Sequence, residues 1–170
     1  MRVLIALATI LTLGQIQRAD QEVLLIPQGF TGDIFIVYRV QSGQPAAREG
    51  SARLYRIPSN GMLATQEPPN SGMGPVWKFY YESAQGERQP LGRIWTSTVP
   101  RTPENEADPA VEVFYPRHGR QQRSEQVPCD VEFDTYFIGT RAQAMSHSPV
   151  AGPRKLGEFL KTAAPCGPLG

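Results

Sequence analysis

Three carboxylates stand two residues apart late in this 170-residue chain: Asp130, Glu132 and Asp134. Alternate residues of a strand share a face, so the three project together. Such a row can offer oxygen ligands to Ca²⁺, or an acid and a base for glycoside cleavage. A calcium loop would add Gly, Asn or backbone carbonyls at tight spacing, and none is evident around this row. The plainer reading is a solvated face on an edge strand, where charge discourages sheet-to-sheet pairing. The soft ligands are His118, Cys129, His147 and Cys166, separated by 11, 18 and 19 residues. Structural zinc sites use much closer pairs, so no metal site is assigned.

Covalent chemistry finds no better footing. Cys129 and His147 could form a nucleophile and a base, but no signature surrounds Cys129, and no serine sits in G-x-S-x-G. Arg117, His118, Arg120 and Arg123 make a basic stretch with glutamines between them. Nucleic-acid binding calls for interleaved aromatics and a larger positive excess. Trp77, Phe79, Tyr81 and Trp95 would stack on sugar rings if they were exposed; aromatics on a strand more often fill a core. Lys78 and Tyr80 fall on the opposite face. No catalytic residue and no cofactor is assigned.

Those residues depend on strands to place them. Val23–Ile26 is an apolar run stopped by Pro27, and Asp33–Val40 alternates with both faces apolar, as in a strand covered on both sides. Ala52–Ile57, Met62–Thr65, Val76–Glu82, Arg88–Thr96, Ala110–Tyr115 and Val131–Ile138 read as further strands. Pro58-Ser59-Asn60-Gly61 is a turn, since Asn-Gly accepts positive φ. Gln44–Gly50, Gln66–Pro75, Ser97–Pro109 and Pro116–Pro128 read as loops. From Gly152 the chain reads as a tail, with Lys155–Lys161 able to make one or two helical turns. The expectation is an all-β fold: one β-sandwich, or a small open barrel, of about seven or eight short strands.

Met1-Arg2, the apolar run Val3–Leu13 and a polar step from Gln15 to Ala19 have the layout of a secretory signal peptide. Eleven apolar residues fall short of the ~20 that span a bilayer, so no membrane span is expected. The cut would follow Gly14 or Ala19, and no cysteine lies near it to carry a lipid. The expected parts are thus a leader at 1–19, a sandwich at 20–145 and an irregular tail at 146–170. Loss of Arg2 and Arg18 leaves 15 Lys+Arg against 16 Asp+Glu, so net charge moves from +1 to −1. A near-neutral chain carries no field to steer it to nucleic acid. In an exported chain, two cysteines point to one bridge, Cys129–Cys166, contributing about 3–4 kcal/mol on the chain-entropy model.

Leu25-Ile26-Pro27, Gly29-Phe30, Gly32, Ile34, Ile36 and Tyr38 resemble the opening of a family of uncharacterised, mostly exported bacterial proteins. The likeness continues through Glu49-Gly50, Arg53, Tyr55, Ile57-Pro58, Gly61, Leu63 and Thr65. Tyr80-Tyr81, Gly86, Arg88, Pro90-Leu91 and Phe137-Ile138-Gly139 extend it, so it covers most of Glu22 to Gly139. It implies one β-rich exported domain and supplies no activity. The expected function is an exported, non-enzymatic binding or structural module of the bacterial cell envelope. Its expected partner is an unidentified protein or glycan, met through the variable loops. The alternatives are a metal-dependent hydrolase built on the Asp130–Asp134 row, or a carbohydrate-binding module using Trp77 and Trp95.

Overall fold

The computed structural model describes residues 18–71, 74, 76–122, 130–147 and 151–163. The expected leader up to residue 17, Arg123, Cys129 and Cys166 lie outside the described residues.

The Val23–Ile26 run sits within β1 (Gln21–Pro27), which pairs in parallel with β4 (Ala52–Arg56) on one side and β6 (Val76–Glu82) on the other. A strand with parallel neighbours is buried on both faces, which is why it reads as a continuous apolar run. Antiparallel β3 (Ala47–Glu49) and β7 (Arg88–Pro90) flank these, giving the order β3-β4-β1-β6-β7. The second sheet has the order β5-β2-β10-β9-β8, with β5 at Met62–Ala64, β2 at Gly32–Val37, β10 at Val131–Gly139, β9 at Glu112–Gln121 and β8 at Ile94–Trp95.

The sheets stack. Leu24, Ile26, Tyr55, Phe79 and Tyr81 from the first meet Ile34, Ile36, Tyr38, Leu63, Val113, Tyr136 and Ile138 from the second. These are alternate residues on each strand, so period-two patterning decides what is buried. The architecture is a sandwich of two mixed sheets rather than a barrel, with ten strands among the described residues. The extra strands are short. β3 lies in the expected Gln44–Gly50 loop. The expected Arg88–Thr96 strand divides: β7 ends at Pro90, which has no N–H to extend a ladder, and β8 joins the other sheet.

Three other stretches depart from expectation. The expected Pro116–Pro128 loop begins as strand, because β9 continues to Gln121. A bulge permits this. Phe114 faces Phe137 and Arg117 faces Thr135, so Tyr115 and Pro116 together oppose Tyr136, with Tyr115 at φ 54°. A bulge is where a strand tolerates proline. The expected Ser97–Pro109 loop contains α1 (Pro103–Ala107), capped by Thr102 with proline in its first turn. The tail expected to be irregular from residue 146 is not so throughout, and a helix that was not expected precedes it. α2 (Arg141–Ser146) starts at a capping box of Thr140 and Gln143, and the turns expected at Lys155–Lys161 belong to the longer α3 (Ala151–Ala163). Leu156 and Leu160 of α3 are buried against Phe35, Val37, Val40, Met62 and Val131, so this helix covers one outer face of the second sheet.

The Asn60-Gly61 turn forms as read. Gly61 has φ +78°, its ideal Cβ would lie 2.3 Å from the Asp33 carbonyl oxygen, and the Asn60 side chain accepts from the Met62 N–H at 2.9 Å. Gly61→Ala is therefore expected to cost ~1–2 kcal/mol in urea unfolding. An unchanged midpoint would mean that the Phe30–Asp33 segment moves aside freely.

Candidate functional site

The central pair β9–β10 presents two different chemistries on its two faces. On the inner face, Asp134 accepts from the Tyr38 hydroxyl at 2.7 Å and meets His118 Nδ1 at 2.8 Å. Asp130 pairs with Arg120 at 2.6 Å and Glu132 with Arg39 at 3.7 Å. The three acids do share a face, but β10 lies between β2 and β9, so the row is not on an edge. Each carboxylate has a basic or hydrogen-bonding partner. Among the described residues, no three His, Cys, Asp or Glu side chains are placed to hold a metal ion.

Deeper between the sheets lies a carboxyl that sequence reasoning missed. Glu22 is fully buried; its Oε2 accepts from the Trp77 indole N–H at 3.1 Å, while among the described residues its Oε1 and the Tyr55 hydroxyl have no hydrogen-bond partner. Burial, and then the negative charge of Asp134, push the Glu22 carboxyl up to about 7; Arg53, Trp77 and Asn70 act in the opposite direction. Burial likewise raises the Tyr38 and Tyr136 hydroxyls. Arg53 is held by Asp20 at 2.9 Å and by the Pro68 carbonyl at 2.7 Å. The available signal was parity: Glu22 alternates with Leu24 and Ile26, so it must point inward with them.

The outer face of the same strands is open. Arg117 and Gly119 of β9 and Phe133 and Thr135 of β10 form the floor of a groove of about 790 Å³. That is within the usual range for small-molecule sites. Met145 and His147 at the end of α2, Thr98–Arg101 and Leu156 of α3 make its walls. Gly119 is required there, because a Cβ would lie 2.5 Å from the Phe133 ring. Asp33 and His147 pair at 3.0 Å, and the His147 ring stacks on Phe137 with centroids 4.3 Å apart. The strained Tyr115 reaches the Ala144 carbonyl at 3.3 Å and fastens α2 to the bulge. At the far end Glu112 accepts from Trp95 at 2.7 Å and from Arg141 at 2.9 Å, while Arg141 also pairs with Asp108 at 3.0 Å. Burial raises the Glu112 carboxyl, but these donors outweigh it and hold the group below the ordinary range.

The other candidates disperse. Strand alternation splits the basic stretch, sending Arg117 outward and His118 and Arg120 inward. His118 and His147 both border the groove, but each is held by a different carboxylate, His118 by Asp134 and His147 by Asp33. Phe79 and Tyr81 are core; Trp77 packs at the core's margin; Trp95 stacks on Phe114 beneath Arg93 and Arg141. No aromatic platform for a sugar results from this set. Tyr80 covers Val23, Leu25 and Leu54 on the outer face of the first sheet, beside Lys78.

A family model described as "Family of unknown function (DUF6843)" matches residues 18–132. The chain belongs to this family. The match bears out the resemblance read from the Leu25–Thr65 pattern to a family without assigned activity. The segment shared with DUF6843 takes in β1 to β9, and with them Glu22, Tyr38, Tyr55 and Trp77. Phe133, Thr135, α2 and α3, which complete the groove, lie beyond it. This DUF6843 chain is also similar to the crystal structure of a "Putative Lipoprotein from Bacillus anthracis", with a TM-score of 0.62, 13% identity, and coverage of 86% of this chain and 95% of that one. At that identity the likeness shows a shared fold. No curated protein matches the chain. No helix among the described residues is long and apolar enough to cross a membrane.

Proposed function

We propose that this chain is an exported, envelope-associated, non-enzymatic binding module that takes its ligand in the groove on the outer face of the second sheet. The groove itself carries the reading: about 790 Å³ of concave space with an aromatic floor set on rigid strands. The leader pattern supports export. So does Asp20, the first residue after an Ala19 cut, whose N–H donates to Asn70 at 2.9 Å and whose carboxylate pairs with Arg53. The folded sandwich thus starts where the leader would stop. The lipoprotein description of the Bacillus anthracis relative agrees with a place in the envelope. Two of the loops expected to meet a partner do border the groove, Thr98–Arg101 directly and Arg117–Gln121 as strand. A non-enzymatic role fits the arrangement of Asp134, His118 and Tyr38, which satisfy one another: Asp134 accepts from the Tyr38 hydroxyl and holds His118 Nδ1, although His118 also borders the groove.

The test is Nile red, a neutral apolar dye, titrated into the chain from Asp20 onward. Saturable binding with one site per chain is expected. Thr135 is half-buried on the floor, flanked by Phe35 and Arg117 across the strands. Thr135→Trp should fill the groove and weaken dye binding by at least about tenfold, equivalent to ~1.4 kcal/mol, with little change in melting temperature. Undiminished binding by this variant would remove the groove from consideration.

A further inference from the structure

Resting on the groove reading, we infer that the ligand is an anionic single-chain amphiphile, with its anionic group on Arg117 and its alkyl chain along Phe133, Phe35 and Leu156. Most other arginines whose side chains the structure describes are partnered, exposed Arg18 at the start of the described chain aside. Arg39, Arg48, Arg53, Arg56, Arg88, Arg101, Arg120 and Arg141 each pair with a carboxylate, and Arg93 lies over Trp95. Arg117 has no such partner among the described residues. It stands on the groove floor beside Gly119, across from uncharged Thr135.

The carboxylates nearby are already engaged: Asp33 with His147 at 3.0 Å, and Glu106 with Arg101 at 3.2 Å. Among its described lining residues the groove thus presents one guanidinium without a carboxylate partner beside a largely apolar floor, with the Asp33 carboxylate of the lining turned to the His147 ring. A guanidinium binds carboxylate or phosphate through two parallel N–H donors, and the apolar surface of Phe35, Phe133 and Leu156 favours an alkyl chain over a sugar or a charged peptide. One ligand meets both demands only if it joins an anionic head to an apolar chain. A free fatty acid and a lysophospholipid share that chemistry.

The experiment is calorimetric titration of the chain from Asp20 onward with dodecanoate, monolauroylglycerol, dodecyltrimethylammonium, lauroyl lysophosphatidylglycerol and acetate, each below its micellar concentration. Dodecanoate or the anionic lysolipid should bind about tenfold tighter than the neutral and cationic ligands of equal chain length, and acetate should not bind measurably. Whichever of the two anionic ligands binds tighter identifies the source. Arg117→Gln, at an exposed position, should bring the anionic ligand down to the affinity of monolauroylglycerol and leave the latter unchanged. Equal binding of all three head-group charges, lost in Thr135→Trp, would overturn the inference and leave the groove reading standing. An anionic preference that survives Arg117→Gln, or acetate binding as well as dodecanoate, would also overturn it. Failure of every amphiphile and of Nile red would overturn both readings.

Discussion

Glu22→Gln is expected to raise stability at pH 8 by about 2–3 kcal/mol and to leave it nearly unchanged at pH 4. Glu22 is fully buried between the sheets and its carboxyl is pushed up to about 7 from 4.5, by burial first and the Asp134 charge second. A folded-state pKa above the unfolded one means that the folded chain holds this proton more tightly. The stability it contributes is therefore full below pH 4.5 and is lost as pH rises to 7. Above that, a charged carboxylate stays buried at a cost bounded near 3 kcal/mol, at ~1.4 kcal/mol for each pH unit between the two values. Glutamine is neutral throughout. Its oxygen can still accept from Trp77, and its amide adds donors on the side where Oε1 has no partner among the described residues.

The groups facing Glu22 are Asp134, Arg53, Asn70, Trp77, Tyr38, Tyr55 and Tyr136. Asp20 and Glu112 run the other way. Arg53's hydrogen bond lowers Asp20, and although burial pushes Glu112 up, Arg141 and Trp95 bring it lower overall, so their contribution is lost as pH falls. The quantity to measure is thus the difference between variant and parent in urea unfolding at pH 4 and pH 8. A difference of the same size at both pH values would show that Glu22 does not hold its proton at neutral pH.

Glu22 also shows what a sequence can and cannot disclose. Its inward direction follows from parity with Leu24 and Ile26, and so do the inward Trp77, Phe79 and Tyr81. That it meets Asp134 depends on how two sheets stack, a relation over more than a hundred residues with no local signature. The acidic row illustrates the same limit. Its shared face was legible; its central place was not, because strand order is set by pairings distant in sequence. β2 read correctly as covered on both sides, since both faces are apolar. β9 read as ending at Tyr115, before Pro116, because a bulge that accommodates proline depends on the partner strand. The groove needs Thr98–Arg101, β9, β10, α2 and α3 together, so no single window contains it. Two signals were nonetheless present. Thr140-x-x-Gln143 is a capping-box pattern, and Leu156, Phe159 and Leu160 have helical spacing, obscured by Pro153 and Gly157.

That last segment is open to a decisive measurement, because a tail and a structural layer differ in energy. Leu160 is 1% exposed and packs with Leu156 against Phe35, Val37, Val40, Met62 and Val131. Truncating a buried leucine removes its transfer free energy and leaves a cavity, so Leu160→Ala is expected to cost about 2–4 kcal/mol in urea unfolding. Lys161→Ala, one residue on and exposed, should stay within about 0.5 kcal/mol. If α3 undocks before the sandwich melts, the variant will also show a lower denaturant slope or a second transition. Either pattern couples the helix to the groove, since Leu156 is part of its wall. Dye affinity should then fall along with α3 docking, although Leu160 does not itself line the groove. A loss below about 0.5 kcal/mol for Leu160→Ala would make α3 dispensable to the sandwich and leave the groove without one of its walls.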